Sequence, residues 1–592
     1  MGRRKKKTPD IRGGGASPTL PGSIWQDGAL VSAEWFQISC IVTFGLLAHG
    51  IVILTDYVIW DSLIIAHLVE SPSLWLVLSQ WARDGGRPLE AVFLEAVFYL
   101  PFVGSSNVVL AGKITWIVIY ILTFVVLKKT LPLLLGFSRT FSFAICAVAI
   151  VMPFYEMIGE IQFVIHAFPF FLFWLSWYLY GKFANHKPAA AVSSRLASMA
   201  ALWFAFQMNS LLVFQYGVLC LYLTHLLIRG GDFRFKYITR RIFQVLDMAL
   251  LPIAFWIDKK WFCPVPPGSY FESVGYNQIS KDLTVYIDGF FKTTNGIFEK
   301  FGSIFETPIT TCIFLALTAV GFFIFIPTKG LQNNSHSRWT EILMSISGGF
   351  LLLFLAVFPY VAVGKPYGAF SYDSRNGILL AIPIAMILVG ALVGAQQLWF
   401  SKSASISRVA ILALCCFGIV ENNRNYLRLQ GYGAKQDSIA IKVKEIIQKT
   451  PDVAVVHLRE YFQFPKTPLW IPAAAWSYKL AENGQLPEVL VVDTRNFIPD
   501  QSLAEPNGEI KRIFPKVTFS PQDIEHFCWL SSQPYGMKQV KRNGKTLNLA
   551  ATEGVNGKDP EKVGLVSLFI KTTQGIENFK IYIDKTSEIS MH

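Results

Sequence analysis

Long apolar runs, broken by short charged turns, set the rhythm of the chain up to about residue 421. Runs lie near 36–55, 108–127, 140–154, 163–181, 242–257, 304–326, 342–362, 377–399 and 409–421. Several reach the ~20 residues that cross the hydrocarbon core of a bilayer. The stretch 196–228 is apolar but too short for two full spans. Gln207, Asn209 and Ser210 interrupt it, which predicts two short helices meeting at a polar break. Backbone at that depth needs protein or water partners. Together the runs predict an α-helical polytopic membrane protein of about 11 transmembrane helices.

Charge sets the expected orientation. Lys and Arg accumulate on the cytoplasmic side of membrane proteins. Arg3, Arg4, Lys5, Lys6, Lys7 and Arg12 precede the first run, so residues 1–34 read as a disordered, basic cytoplasmic tail. Each expected inner turn carries Lys or Arg, as at Lys128 and Lys129, Lys182 and Lys187, Arg240 and Arg241, or Lys402 and Arg408. The topology is then N-in and C-out. The transmembrane domain covers 35–421, with outer loops at 57–107, 155–162, 258–303 and 363–376. In the first of these, 72–81 reads as an interfacial helix.

After 421 the apolar runs shorten and charge rises. The segments 452–458, 488–493, 563–571 and 578–584 read as strands, and 438–450 as an amphipathic helix with Ile at helical spacing. This predicts an extracytoplasmic soluble α/β domain over 422–592, of ordinary domain size. It holds no nucleotide loop, Gly-x-Ser-x-Gly or metal motif.

Composition agrees with the membrane class. The 592 residues are 52% hydrophobic, with a net charge of +13 and only 16% charged residues, against roughly 25% in a soluble domain. The basic residues are scattered among the spans and form no single patch, which argues against nucleic acid as a partner. Most of the eight cysteines sit in apolar runs, where they behave as small hydrophobes. Cys263 and Cys528 fall in expected outer segments, but their spacing establishes no disulfide.

The candidate chemistry sits at the ends of the spans. Asp56 and Asp61 stand where the first run ends. Carboxylates there are costly unless solvated, paired or used. On one helix they would lie ~140° apart, so a bend is needed to bring them together. They read as a general base plus a positioning group, or as two solvated caps. Glu156 and Glu160 have helical i,i+4 spacing with no nearby basic residue, so each raises the other's cost of ionisation. A divalent cation or a distant Arg would relieve that; Mg²⁺ and Mn²⁺ favour such ligands. His166 follows. Lys365 and Arg375 flank an outer loop, and Arg presents a planar fork that suits phosphate oxygens.

An inner N-terminus, an acidic residue after the first span, a W…GGRPL stretch at 81–89, an acidic second outer loop and an Arg before a late span form a recognisable set. It resembles the GT-C class of polytopic glycosyltransferases, and within it the bacterial O-antigen glucosyltransferase-like proteins. The resemblance implies a multi-pass plasma (inner) membrane enzyme with an extracytoplasmic active site. It would move a sugar from a polyprenyl-phosphate donor to a glycan, lipid or protein acceptor, with inversion. Asp56 or Asp61 would be the general base. Arg375 and Lys365 would hold the donor phosphate. Glu156, Glu160 and His166 would orient the acceptor or hold a metal, the metal staying open. The rival reading is a transporter or flippase for a lipid-linked or small polar substrate. Such proteins often carry paired broken helices near the midplane, and the two halves show no convincing repeat here.

Overall fold

The computed structural model describes residues 23–55, 58, 62, 108–158, 160, 164–183, 188–208, 210–230, 235–262, 264, 279, 282–306, 308–325, 335–369, 372–399 and 405–449, and six strands beyond. Asp56, Asp61, the interfacial segment 72–81, Cys263 and Cys528 lie outside the described residues. Residues up to Cys40 form one unit and those from Ile41 a second.

The helices are α1 (Ser23–His49), α2 (Val108–Leu135), α3 (Arg139–Val151), α4 (Val164–Phe183), α5 (Pro188–Ala205), α6 (Ser210–Gly230), α7 (Phe235–Gln244), α8 (Leu246–Trp261), α9 (Leu283–Gly302), α10 (Pro308–Phe325), α11 (Ser335–Ala362), α12 (Ala381–Trp399) and α13 (Ser405–Lys449). Each of the expected apolar runs falls mainly on helix, and 196–228 is divided between α5, which ends at Ala205, and α6, which begins at Ser210. Among the described residues, six helices are long and apolar enough to cross a membrane, or seven if a bent pair counts as one. That is fewer than the expected eleven. The shortfall has a physical cause: α3 has 13 residues, ~20 Å of helix, and α8 ends in Asp258, Lys259 and Lys260. The protein is thus a helical membrane protein.

Helix α3 is the centre of the bundle. Nine of its residues, from Phe141 to Val151, are buried, and it packs on α2, α12 and α13. A helix that is apolar all round must be covered all round. Its start follows from local chemistry. Gly136 takes a φ of +69° to turn the chain out of α2, a conformation glycine adopts freely. The Ser138 hydroxyl then caps the helix by accepting from the Phe141 N–H at 3.3 Å. Its end is set by Pro153, which disfavours helical geometry at Met152.

Small residues allow the close approaches. A Cβ at Gly418 would sit 2.2 Å from the Val151 carbonyl oxygen, and one at Gly349 would sit 2.9 Å from the Pro383 oxygen. Such residues are the usual means of helix contact where lipid removes the hydrophobic driving force. Polar cross-links add to them. Ser176 and Ser198 each donate to the other's carbonyl at 2.8 and 2.9 Å, joining α4 to α5. His49 Nε2 lies 2.8 Å from the Ile150 carbonyl, which can only accept. The proton is therefore on Nε2, and Nδ1 accepts from the Tyr426 hydroxyl at 2.7 Å. One imidazole thus ties the end of α1 to α3 and α13.

Three expectations need correction. The segment 258–303 is no open loop, since α9 fills 283–302. The boundary at 421 does not end a helix: α13 runs unbroken for 45 residues, with Glu421 buried in its middle. The segment 438–450 is the tail of α13, not a separate element. A helix takes no notice of hydropathy when its backbone bonds continue, so the fall in apolarity marked no break.

Beyond α13, β1 (Val455–Arg459), β2 (Leu490–Asp493), β5 (Val563–Thr572) and β6 (Gly575–Asp584) form one sheet in the order β2-β1-β6-β5. The β1–β2 pair is parallel and the others antiparallel. The strands β3 (Gly536–Arg542) and β4 (Lys545–Ala551) pair separately as an antiparallel ribbon.

The α3–α13 contact gives a direct test. Gly418→Leu should lower the unfolding midpoint of the detergent-purified protein, by about 1–3 kcal/mol or more for overpacking. Gly302→Leu, where a Cβ meets nothing within 4 Å, should leave the midpoint unchanged.

Candidate functional site

The turn after α3 leaves the bundle core with its carboxylates still buried. Residues 152–158 and 160 are turn and non-helical backbone, with the Glu160 N–H donating to the Met157 carbonyl at 3.2 Å. Glu156 and Glu160 therefore do not share a regular helical face, and both are buried. The proline that stops α3 also stops the i,i+4 geometry that their spacing predicts.

Glu156 has a partner from far away in sequence. The Lys300 ammonium lies 2.5 Å from its Oε1 and 3.6 Å from Oε1 of Glu421, and Lys300 and Glu421 are both fully buried. The Glu421 carboxylate also takes the Ser303 hydroxyl at 2.7 Å. Its other oxygen lies 3.3 Å from Arg424, whose guanidinium reaches Glu306 at 2.9 Å. Arg424 further donates to the Ser303 carbonyl. The charges alternate along one chain: Glu156, Lys300, Glu421, Arg424, Glu306. Four segments are joined by it: the turn after α3, the end of α9, the 3₁₀ turn Ser303–Glu306 and the middle of α13. Desolvation of such charges is expensive, and only close pairing and extra hydrogen bonds offset it.

The expected phosphate-binding loop arrives at the same place. The Glu156 N–H donates to the Ser374 hydroxyl at 3.3 Å. Ser374 sits in the 3₁₀ turn Tyr372–Gly377, beside Arg375. Asn376 holds that loop closed by donating from Nδ2 to the Lys365 carbonyl at 3.0 Å. A Cβ at Gly377 would lie 2.3 Å from the Phe154 carbonyl oxygen, so only glycine lets the turn sit this close to the acidic one. Arg375 and Lys365 are both half-buried. Two segments expected on one membrane face, 155–162 and 363–376, thus touch.

Between them stands Tyr367. It is buried, and its backbone N–H donates to the Thr293 hydroxyl of α9 at 3.2 Å. Its ring fills the space over Gly296 and Gly377. Its hydroxyl is enclosed and has no hydrogen-bond partner among the described residues. Burial, reinforced by the carboxylates of Glu156, Glu299 and Glu421, pushes the phenol well above its ordinary pKa. It is a donor held in reserve beside carboxylates.

At Glu156 the nearest cation is the Lys300 ammonium. Among the described residues no three His, Cys, Asp or Glu side chains cluster as a metal site. Glu160 is buried, and His166 lies half-buried in the first turn of α4 rather than in a loop.

Several of these groups were not visible as site residues in the sequence. Lys300 lies in the expected outer loop 258–303, and Glu421 at the last position of the apolar run 409–421. The signal that could have found Lys300 is the run Gly289, Thr293, Gly296, Lys300, which puts three small residues and one cation on a single helical stripe. Lys113 was hidden in an apolar run. It is buried on α2, and its ammonium donates to the Thr55 carbonyl at 2.5 Å and lies 3.2 Å from the Thr55 hydroxyl. It therefore fixes the chain at the last residue before Asp56.

Removing one partner of a buried pair should cost about 3–5 kcal/mol. Lys300→Met should accordingly destabilise the detergent-purified protein strongly, and Lys300→Met with Glu156→Gln should recover much of the loss in a double-mutant cycle. Tyr367→Phe should change the unfolding midpoint by less than about 1 kcal/mol, because its hydroxyl loses no internal bond. No protein-family model, curated protein or solved structure matches this chain.

Proposed function

We propose that the chain is an integral membrane glycosyltransferase of the GT-C type, using a polyprenyl-phosphate-linked sugar. The observation that carries this reading is the hydrogen bond between Ser374 and Glu156, which packs the Arg375 turn against the acidic turn. A cation for the leaving phosphate and a fixed acidic floor then share one end of the bundle. In this reading α3, α4, α5, α8 and α10 also cross, completing eleven passes with the N-terminus inside. The strands after 449 belong to an extracytoplasmic α/β domain.

The reaction needs few groups. The acceptor hydroxyl gives its proton to the carboxylate of Asp56 or Asp61 as its oxygen attacks the anomeric carbon. The bond from that carbon to the donor phosphate oxygen breaks, and polyprenyl phosphate leaves with the electron pair. Arg375, with Lys365, stabilises the charge gathering on the phosphate, the kind of contribution that often dominates a rate. Lys113 holds the segment that enters Asp56. Glu156 serves as a tether through Lys300, and Tyr367 has a hydroxyl to offer.

The transporter or flippase reading draws on the full burial of Lys300 and Glu421 within the bundle. Chemistry on the substrate separates the two readings. The full chain in proteoliposomes, given a panel of polyprenyl-phosphate sugars and a cell-envelope acceptor fraction, should release free polyprenyl phosphate. Asp56→Asn or Asp61→Asn should lower that release by about 10²–10⁴-fold, and Arg375→Ala should raise the donor KM. Movement of intact donor across the vesicle without bond cleavage would replace this reading with transport. Full turnover in the double Asp variant would remove the general base.

A further inference from the structure

Helix α9 has three faces, not two. Gly289, Thr293, Gly296 and Lys300 are buried at spacings of four, three and four, which places them on one side of a helix. That side lies on α11 and the 363–369 loop: a Cβ at Gly289 would meet Val361, and one at Gly296 would meet Tyr367. A second side carries Leu283, Ile287, Phe291 and Phe298, with Phe291 and Phe298 exposed by 66% and 70%. The third carries Asp288, Lys292, Asn295 and Glu299, all exposed. Large exposed aromatics beside a charged stripe have no use in bulk water, and the charged stripe has no place in hydrocarbon.

The helix also has a direction. The 3₁₀ turn Ser303–Glu306 continues α9, and the stretch Leu283–Glu306 lies at 90° to Thr310–Ala319 of α10. Helix α10 is an 18-residue run without a charged side chain. If α10 follows the membrane normal, α9 lies in the membrane plane. Asp282 begins it as a solvated cap, accepting from the Thr284 N–H at 2.9 Å; that bond and the Thr284 hydroxyl hold the carboxyl below its usual pKa.

We infer that α9 is an in-plane helix seated in the headgroup layer of the bilayer, with its Phe291 and Phe298 face against the acyl chains and its Asp288 and Lys292 face in water. The occupant of the exposed apolar face is phospholipid. A helix of this make-up buries its apolar side roughly 5–10 Å into the headgroup–acyl boundary. Its buried face then has a consequence for the site. Lys300 bonds Glu156, and Gly296 and Thr293 seat Tyr367, so the level of the lipid surface sets the level of the acidic turn and the Arg375 turn. Any ligand bearing a lipid phosphate would be presented at that height. The inference does not depend on the glycosyltransferase reading, since it concerns only where α9 lies.

Spin labels decide it. An unnatural keto residue is placed singly at 287, 291, 298, 288, 292 or 295 in the full chain, labelled with a nitroxide and reconstituted in phosphatidylcholine vesicles. Collision rates with oxygen and with a water-soluble nickel chelate give the depth of each. Positions 287, 291 and 298 should be oxygen-accessible at one common depth, and 288, 292 and 295 should be reached by the chelate at least several-fold more. A depth that changes steadily by ~1.5 Å per residue from 287 to 298 would make α9 part of a membrane crossing and overturn the proposal. So would chelate access at all six positions. Shielding of 291 and 298 from both reagents, with dipolar broadening between labels, would assign the face to a second copy of the chain and also overturn it.

Discussion

A charge buried in a low-dielectric bundle must be neutralised at short range, and the arrangement of this protein depends on how it meets that constraint. Lys300 is fully enclosed, with Glu156 at 2.5 Å and Glu421 at 3.6 Å. The one ammonium is within ion-pair distance of both carboxylates. Arg424 then balances the second oxygen of Glu421 and continues to Glu306. The network runs from the buried Glu156, Lys300 and Glu421 out to the exposed Glu306. Since the five groups come from three stretches distant in sequence, near 156, 300–306 and 421–424, the network also fixes how those stretches meet. It orders the turn after α3, which would otherwise be a short connection with two acidic residues.

Close packing makes that network reachable. Gly418 lets α13 approach the end of α3, and the Asn422 side chain uses the approach to donate to the Val151 carbonyl at 2.7 Å. Gly377 lets the Arg375 turn approach Phe154. Phe301 stacks on Phe417 with centroids 5.2 Å apart and meets Phe154 of the turn edge-on at 5.7 Å. The His49 bridge to Ile150 and Tyr426 adds a polar clasp on the same helices. Small residues, aromatic seals and paired charges thus act together at one end of the bundle, and the candidate phosphate-binding turn rests on the result.

The functional reading gains from this in a specific way. A group meant to bind a phosphate must be held still, because freedom lost on binding weakens the interaction. Arg375 sits in a turn closed by Asn376 and anchored by Ser374. Glu156, by contrast, already spends its charge on Lys300. Oε1 of Glu156 faces Lys300, and Arg375 sits on the turn that Glu156 meets through Ser374.

The sequence by itself determined the helices, because apolar length and the polar breaks between runs act locally. The break at 206–209, the short α3 and the strands at β1, β2, β5 and β6 all lie where hydropathy and alternation put them. It also indicated the end of the molecule where charge matters, since Glu156 and Arg375 flank helix ends. Only the tertiary structure decided which charges pair. Glu156 and Lys300 are 144 positions apart, and no local pattern links them. Only it revealed α9, whose three faces make sense once one is covered by α11, and only it carried α13 through the point where hydropathy falls. Periodicity records what a residue's immediate neighbours require. The partner of a buried ion is chosen by the packing of distant helices, which no window along the chain contains.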